Sequence, residues 1–542
     1  MSQRSLIAIF CAGVLYLTLF YQLGNLAFVG ADEPRYARVG EEMNLKDEYI
    51  TPTLDFRPWL EKPPLLFWIE SASFRIFGVS ERTARLPVAV LSLLCLLSLG
   101  SFLHRFAGMR TGILGVLILS TSGLFFVYAR AASTDAPMVA TFTMGLLGAF
   151  WATRAGTLLP ALAAGVCLGL AVLAKGPVAL ILFLGVFGLY FLFLQSIRWS
   201  RSQVLAMAAA FLLTSVPWFF LVWRTNGYAF VSTFWINHHL ARFLTDIHHH
   251  TQPFWYYLPV LLLGFFPWVC FLPSSFRRVW EKRRSLDEDS VGLELFLWLA
   301  VIVPFVFFSA GRSKLPGYVL PAVPPMAALA ALQWNRWMDP EAGLPPALRN
   351  GFLAMGLVGL ALSGALLWGF TSVYETPSLG VLLAFPLAAG TLWGCRQGLR
   401  GRPAAAFFSV AAAMTLFAAL LYWKGAPVVD DFHSARDLSR HILPRINPRA
   451  PLILYRYFHH TAHYYTGYQA TRESVESPAE LIDYLRVNPQ ERYYLLTQEA
   501  GWRELESFQP RLIEHRGNLF LVELSGRVED DTRTVSRETA DN

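Results

Sequence analysis

The sequence predicts a polytopic α-helical membrane protein, with about thirteen transmembrane helices, interfacial helices in the first outer loop and a small C-terminal α/β domain. Three observations predict it. Hydrophobic residues make up 54% of the 542-residue chain and charged residues only 15%, well outside the soluble average. Apolar runs of spanning length follow one another with short polar loops between them. From about residue 425 the hydropathy falls and the pattern becomes that of a globular domain.

The apolar runs lie at 5–29, 84–103, 111–128, 134–153, 158–174, 177–195, 203–223, 254–272, 292–309, 317–333, 351–369, 377–394 and 404–422. The first is too long for a signal-peptide core and has no A-x-A-like site after it, so it reads as a retained span. Basic residues gather in alternate loops: 104–110, Arg154, Arg198 with Arg201, 277–284 (RRVWEKRR), Arg336 with Arg349, and 396–402. That side is cytoplasmic by the positive-inside rule, which places the N-terminus inside and everything after Trp423 outside. Topology accounts for the net charge of +7, so nucleic-acid binding is set aside. The five cysteines fall in or beside apolar runs without paired spacing, which indicates neither a disulfide framework nor a thiolate metal site.

The outer loop 31–83 is too charged to span but rich in Trp, Phe and Leu, and Leu65–Phe77 has the spacing of a helix lying in the membrane interface. These patterns divide the chain into a transmembrane domain at 1–424, an α/β domain at 425–525 and a charged, disordered tail at 526–542. In the α/β domain, 451–458, 492–497 and 518–524 read as strands and Pro478–Val487 as a helix. No matched, interrupted half-repeats of the transporter kind are present.

Polar residues suited to chemistry collect on the outer side. Asp32, Glu33 and Arg35 follow the first span, and Glu61 with Lys62 stands in LEKPP. Asp135 lies in STDAP, Lys175 in AKGP, a His-rich loop occupies 237–252, and Lys314 and Tyr318 fall in GRSKLPGYVLP. Each has a plainer reading. Asp32, Glu33 and Asp135 stand where helix N-caps belong. Lys62 and Lys314 suit snorkelling to the interface, and Tyr318 suits an aromatic belt. Histidines at 248–250 make a poor chelate unless a distant carboxylate such as Glu61 joins them, so a divalent metal on Glu61 and His250 stays an open alternative to no cofactor at all. Together the residues say more. Carboxylates accept protons or hydrogen-bond a sugar, and lysines or arginines at a bilayer edge hold a lipid phosphate and stabilise it as it leaves. Acid, base and membrane surface point to glycosyl transfer from a lipid phosphate.

The words DEPRYA (32–37), FRPWLEKPPLLFW (56–68), STDAP (133–137), LAKGP (173–177), HLARF (239–243), HTQPFWYYLP (250–259) and KLPGYVLP (314–321) resemble those of a known family. It is the GT-C class of lipid-phosphate-sugar-dependent glycosyltransferases, most closely the bacterial branch that carries aminoarabinose transferases of lipid A and related protein mannosyltransferase-like proteins. The resemblance implies an inner-membrane enzyme whose C-terminal domain is periplasmic, and it implies roles. Asp32 looks like the essential first-loop carboxylate, supported by Glu33 and Arg35, with Asp135 beside it in function. Lys62, Arg242 and Lys314 look like ligands of the carrier phosphate. Glu61, Tyr36, Lys175, His239, His250 and Tyr318 would line the cavity.

The resemblance further implies inversion at the anomeric carbon, an undecaprenyl-phosphate sugar as donor, lipid A or another periplasmic acceptor, and a monomer among membrane lipids. A carboxylate-rich pocket favours an amine-bearing sugar such as 4-amino-4-deoxy-L-arabinose. Two alternatives remain at the level of sequence: transfer of another sugar to lipid A, protein or glycan, and transport of a lipid-linked sugar. Transport predicts charge near the membrane midplane, whereas these candidates stand at the ends of spans.

Overall fold

Most of the apolar runs become helix in the computed structural model, because a chain in lipid must satisfy its backbone hydrogen bonds internally; the first, expected over 5–29, is helical only to Leu19 and continues as turn and irregular chain. The structure describes residues 3–194, 198–241, 252–282, 289–339, 346–433, 436, 438, 439, 452–457, 460–467, 470, 471, 474–516 and 518–525. Among these, seven helices are long and apolar enough to cross a membrane, or eight if Tyr257–Gly264 and Trp268–Glu281, bent by 100° at a short break, form one span. Three shorter apolar helices, Ser5–Leu19, Leu159–Lys175 and Val178–Phe193, accompany them. This is a polytopic membrane protein. Leu205, Leu213 and Phe220 on helix Arg201–Phe230 are more than half exposed, as side chains facing lipid would be.

Local chemistry sets the helix ends. Glu81–Ser120 is continuous in hydrogen bonding but broken at Gly108, whose φ of 86° and ψ of 162° turn one apolar stretch into two, as the sequence pattern predicts. Ser200 caps helix Arg201–Phe230 in a reciprocal arrangement with Gln203. Proline opens the helices that begin at Pro346, Pro377 and Pro403, where its missing N–H costs nothing.

The chain divides into two compact units, 1–25 with 39–425 and 26–38 with 426–542. In the first, one apolar core runs through the helices from Val14 to Met414. Two buried arginines secure the end of the first helix, Gln3–Leu19, and the chain just after it by donating to backbone carbonyls there. Arg130 donates to the Thr18 and Tyr21 carbonyls at 3.2 and 2.6 Å, and Arg85 to that of Leu23 at 3.2 Å. The Arg130 guanidinium also lies 3.7 Å from the Tyr422 ring centroid, and burial brings its pKa down to about 10.

The segment 31–80 contains helix Asp32–Lys46, a hairpin of β1 (Thr53–Leu54) and β2 (Arg57–Pro58), and helix Leu65–Phe77. Asp55 and Phe56 turn the hairpin with φ of 53° and 60°, an uncommon conformation for such residues. The buried Glu42 carboxylate holds it by accepting from the Phe56 amide at 3.0 Å and the Thr53 hydroxyl at 2.7 Å.

In the second unit four strands form one sheet in the order β3 (Leu452–Leu454), β4 (Arg492–Gln498), β6 (Leu519–Ser525), β5 (Arg511–Arg516). The β3–β4 pair is parallel and the other pairs are antiparallel. Alternate residues serve two cores, Leu452, Leu454, Tyr494 and Leu496 in one, and Ile453, Tyr455, Tyr493 and Leu495 in the other. Burial on both faces explains why these strands read as continuous apolar runs. Strand β5 went unanticipated because RLIEHR is mostly charged; it is an exposed edge strand with a bulge between Leu512 and Glu514. The expected tail at 526–542 lies outside the described residues.

Candidate active site

In the first unit the central feature is an ion pair between Asp135 and Lys175, both side chains 16% exposed. Asp135 is the first residue of helix Asp135–Ala155 and Lys175 the last of helix Leu159–Lys175. A negative charge at a helix start and a positive one at a helix end both suit the helix dipole. The second helix stops at Lys175 because Gly176 adopts φ 90° and Pro177 follows. The Lys175 ammonium also stands 4.7 Å from the centre of the Tyr318 ring. Tyr318 is presented by the 3₁₀ turn Pro316–Ala322, which approaches so closely at Gly317 that a Cβ there would lie 2.7 Å from the Tyr128 ring. The structure thus brings together Asp135, Lys175 and Tyr318.

Lys314 differs electrostatically. Its ammonium donates to the carbonyls of Gln252, at 3.0 Å, and Gly311, and only 5% of the residue is exposed. Among the described residues it faces these two carbonyls and no carboxylate. Burial lowers its pKa, because the charged form is the one that loses hydration. Lys175 is paired with a carboxylate, whereas Lys314 is held by two carbonyls.

Glu61 and Lys62 stand half-buried on the segment after β2. That segment is tethered through its neighbours: the Trp218 indole donates to the Ile50 carbonyl at 2.9 Å, the Asn226 amide to the Thr51 hydroxyl at 2.9 Å, and the Trp59 amide to the Pro52 carbonyl at 2.8 Å. Glu61 lies 3.7 Å from Nε2 of His238. His238 was hidden in the His-rich stretch because nothing in its neighbours' sequence distinguishes it from the other histidines. No three His, Cys, Asp or Glu side chains converge as a metal site among the described residues. Arg242 and His250 lie outside those residues, as does the His239 side chain.

The second unit holds DEPRYA. Asp32 opens helix Asp32–Lys46 and pairs through Oδ1 with Arg35 at 2.6 Å, while 47% of its side chain stays exposed. Arg35 is braced by the Ala31 carbonyl at 2.9 Å. Glu33 has a different setting: it is 4% exposed and accepts from the Val29 amide at 2.7 Å. Tyr36 is buried. The adjacent carboxylates therefore divide, Glu33 tying the backbone ahead of the helix and Asp32 facing outward. Glu42, Arg130 and Asp430 were not anticipated; for the two acids no local pattern separates a buried carboxylate from a solvated one, whereas Arg130 carried one signal, a lone charge beside an apolar run.

Comparison with known proteins gives the geometry a context. Residues 61–223 match a family described as dolichyl-phosphate-mannose-protein mannosyltransferase. The chain is 34% identical over 332 residues to undecaprenyl phosphate-alpha-4-amino-4-deoxy-L-arabinose arabinosyl transferase 2 of Proteus mirabilis, covering 60% of this chain and 58% of the relative. A similarly named transferase of Edwardsiella ictaluri is 29% identical over 412 residues, covering 73% and 72% of the two chains. The chain thus spans less than two thirds of the Proteus mirabilis relative that it matches. A crystal structure of ArnT from Cupriavidus metallidurans, bound to undecaprenyl phosphate, superposes with a TM-score of 0.77 at 23% identity over 96% of this chain and 98% of the other. In sequence the chain is similar to the GT-C glycosyltransferases of the aminoarabinose-transferase group, and it shares the fold of one of them.

Proposed function

We propose that this chain is an inverting glycosyltransferase that moves 4-amino-4-deoxy-L-arabinose from undecaprenyl phosphate to lipid A on the periplasmic face of the bacterial inner membrane. One observation carries the reading: relatives 34% and 29% identical to the chain are named as transferases of this sugar, and the stretch 61–223 matched to the mannosyltransferase family contains Glu61, Lys62, Asp135 and Lys175. Thirteen spans, an interfacial helix Leu65–Phe77, a periplasmic domain after residue 425 and a monomeric state complete the proposal.

The acceptor oxygen attacks the anomeric carbon from the side opposite the lipid phosphate. The bond from that carbon to the phosphate oxygen breaks, and its electron pair leaves on the phosphate. Lys314, with a positive charge that no described carboxylate offsets, stabilises that developing charge, and Lys62 and Arg242 share the task. Lys175 pairs with Asp135 and holds its carboxylate in place. A lipid A phosphate is already anionic and requires no strong base, so the outward-facing Asp32 carboxylate holds the cationic amine of the sugar or orients the acceptor; with a hydroxyl acceptor it would remove the proton. No cofactor is assigned to the reaction.

Mass spectrometry of lipid A from strains with and without the gene tests the assignment. The expected result is a gene-dependent mass increment of one aminopentose per modified phosphate. Lipid A identical in both strains under inducing conditions rejects the acceptor, and an increment of hexose mass rejects the sugar.

A further inference from the structure

The stretch just ahead of DEPRYA, residues 27–29, has no regular secondary structure, so its amides need partners from elsewhere. Side chains supply all three. The Ala27 amide donates to Oδ2 of Asp430 at 3.1 Å, the Phe28 amide to the Tyr465 phenol oxygen at 2.8 Å, and the Val29 amide to Glu33 at 2.7 Å. Asp430 is 4% exposed in its side chain, and the same oxygen meets Arg436 at 2.5 Å. The buried Phe28 ring packs edge-on to Tyr464 at 5.1 Å and stacks beside Tyr465 at 6.2 Å. Two of the three acceptors thus come from the part of the chain beyond residue 425, which the sequence reading left without a task.

We infer that Asp430, Tyr465 and, behind Asp430, Arg436 are positioning residues: they clamp the backbone at 27–29 and so fix where helix Asp32–Lys46 presents the Asp32 carboxylate. The inference rests on the catalytic part proposed for Asp32. Asp32 follows Val29 by three residues, and the Glu33 bond closes the clamp across that interval. Releasing two amides lets the start of the helix swing by the ångström or so that matters to a reacting carboxylate. This gives the part of the chain beyond residue 425 a role in the reaction through Asp32.

The test uses full-length protein in nanodiscs, with undecaprenyl-phosphate aminoarabinose as donor and lipid A as acceptor. Tyr465→Phe removes one acceptor oxygen and leaves the ring; Asp430→Ala removes the other, and Asp430→Asn returns an oxygen without the charge. The expected result is faster amide hydrogen exchange at 27 and 28 and a fall in kcat of about tenfold or more for Tyr465→Phe and Asp430→Ala, with donor KM within about twofold of the parent. Asp430→Asn should regain part of kcat. Unchanged exchange overturns the clamp, and faster exchange at full kcat overturns its bearing on Asp32. Parallel loss of kcat and donor binding, without rescue by Asn, reduces these residues to ordinary support of the fold and also overturns the inference. Asp32→Asn at full turnover would instead remove Asp32 from the reaction, an outcome read independently of the clamp variants.

Discussion

Lys175 and Lys314, both in the first unit, separate by their partners. Lys175 is tied to Asp135, so replacing Lys175 by Met strands a part-buried carboxylate. We expect this to cost about 3–5 kcal/mol and lower the apparent unfolding midpoint in detergent, while the double variant Asp135→Leu with Lys175→Met recovers most of the loss. A double variant no more stable than the single ones would show that the pair contributes nothing as a pair. Lys314→Gln should leave that midpoint nearly unchanged and weaken binding of undecaprenyl phosphate by about tenfold to a hundredfold, the worth of a charge-assisted bond of about 1.5–3 kcal/mol. Isothermal titration in nanodiscs measures it. Burial lowers the Lys314 pKa, so its charge is lost earlier as pH rises than for an ordinary lysine at about 10.4. Carrier affinity should therefore fall on the alkaline side at a pH below that value, and Lys314→Arg, charged throughout, should abolish the fall. Asp32→Asn should lower kcat by a factor of about 10² or more with carrier binding retained.

Helix ends and tight approaches place these side chains. The turn Pro316–Ala322 brings Tyr318 over Lys175 because residue 317 has no side chain to hold it off the Tyr128 ring. Gly317→Ala should cost about 1–3 kcal/mol through the overpacked contact, and adding Tyr128→Leu should relieve it. Thermal unfolding of both variants checks the coupling, which is absent if the two effects simply add. The sequence showed the elements more fully than their packing. Lys175-Gly176-Pro177 is a helix stop that any chain of that sequence favours, and Leu65–Phe77 was visible as an amphipathic helix to the residue. The edge strand β5 was not visible, because an exposed strand lacks the alternation that burial imposes.

On the scale of the whole molecule, alternating loop charge predicts an orientation that thiol labelling can test. In a variant without the native cysteines, a membrane-impermeant reagent applied to intact cells should label Ser372→Cys and spare Arg400→Cys. The reverse pattern would invert the proposed topology. The sequence by itself determined the polytopic class, the positions of the apolar helices and the words that mark the family resemblance. All three follow from local causes: a bilayer requires long apolar helices, glycine and proline end them, and short motifs persist as contiguous residues. Only the tertiary structure decided which charges meet. Asp135 and Lys175 are forty residues apart, Ala27 and Asp430 about four hundred, and no periodicity encodes such contacts. It also decided that residues 26–38 belong with the C-terminal unit, that Glu33 is buried while its neighbour Asp32 is not, and that Lys314 has no described carboxylate partner. The reason is physical: a side chain's charge, hydration and reach depend on what the fold packs around it, and adjacent residues of the same type can be folded into opposite surroundings.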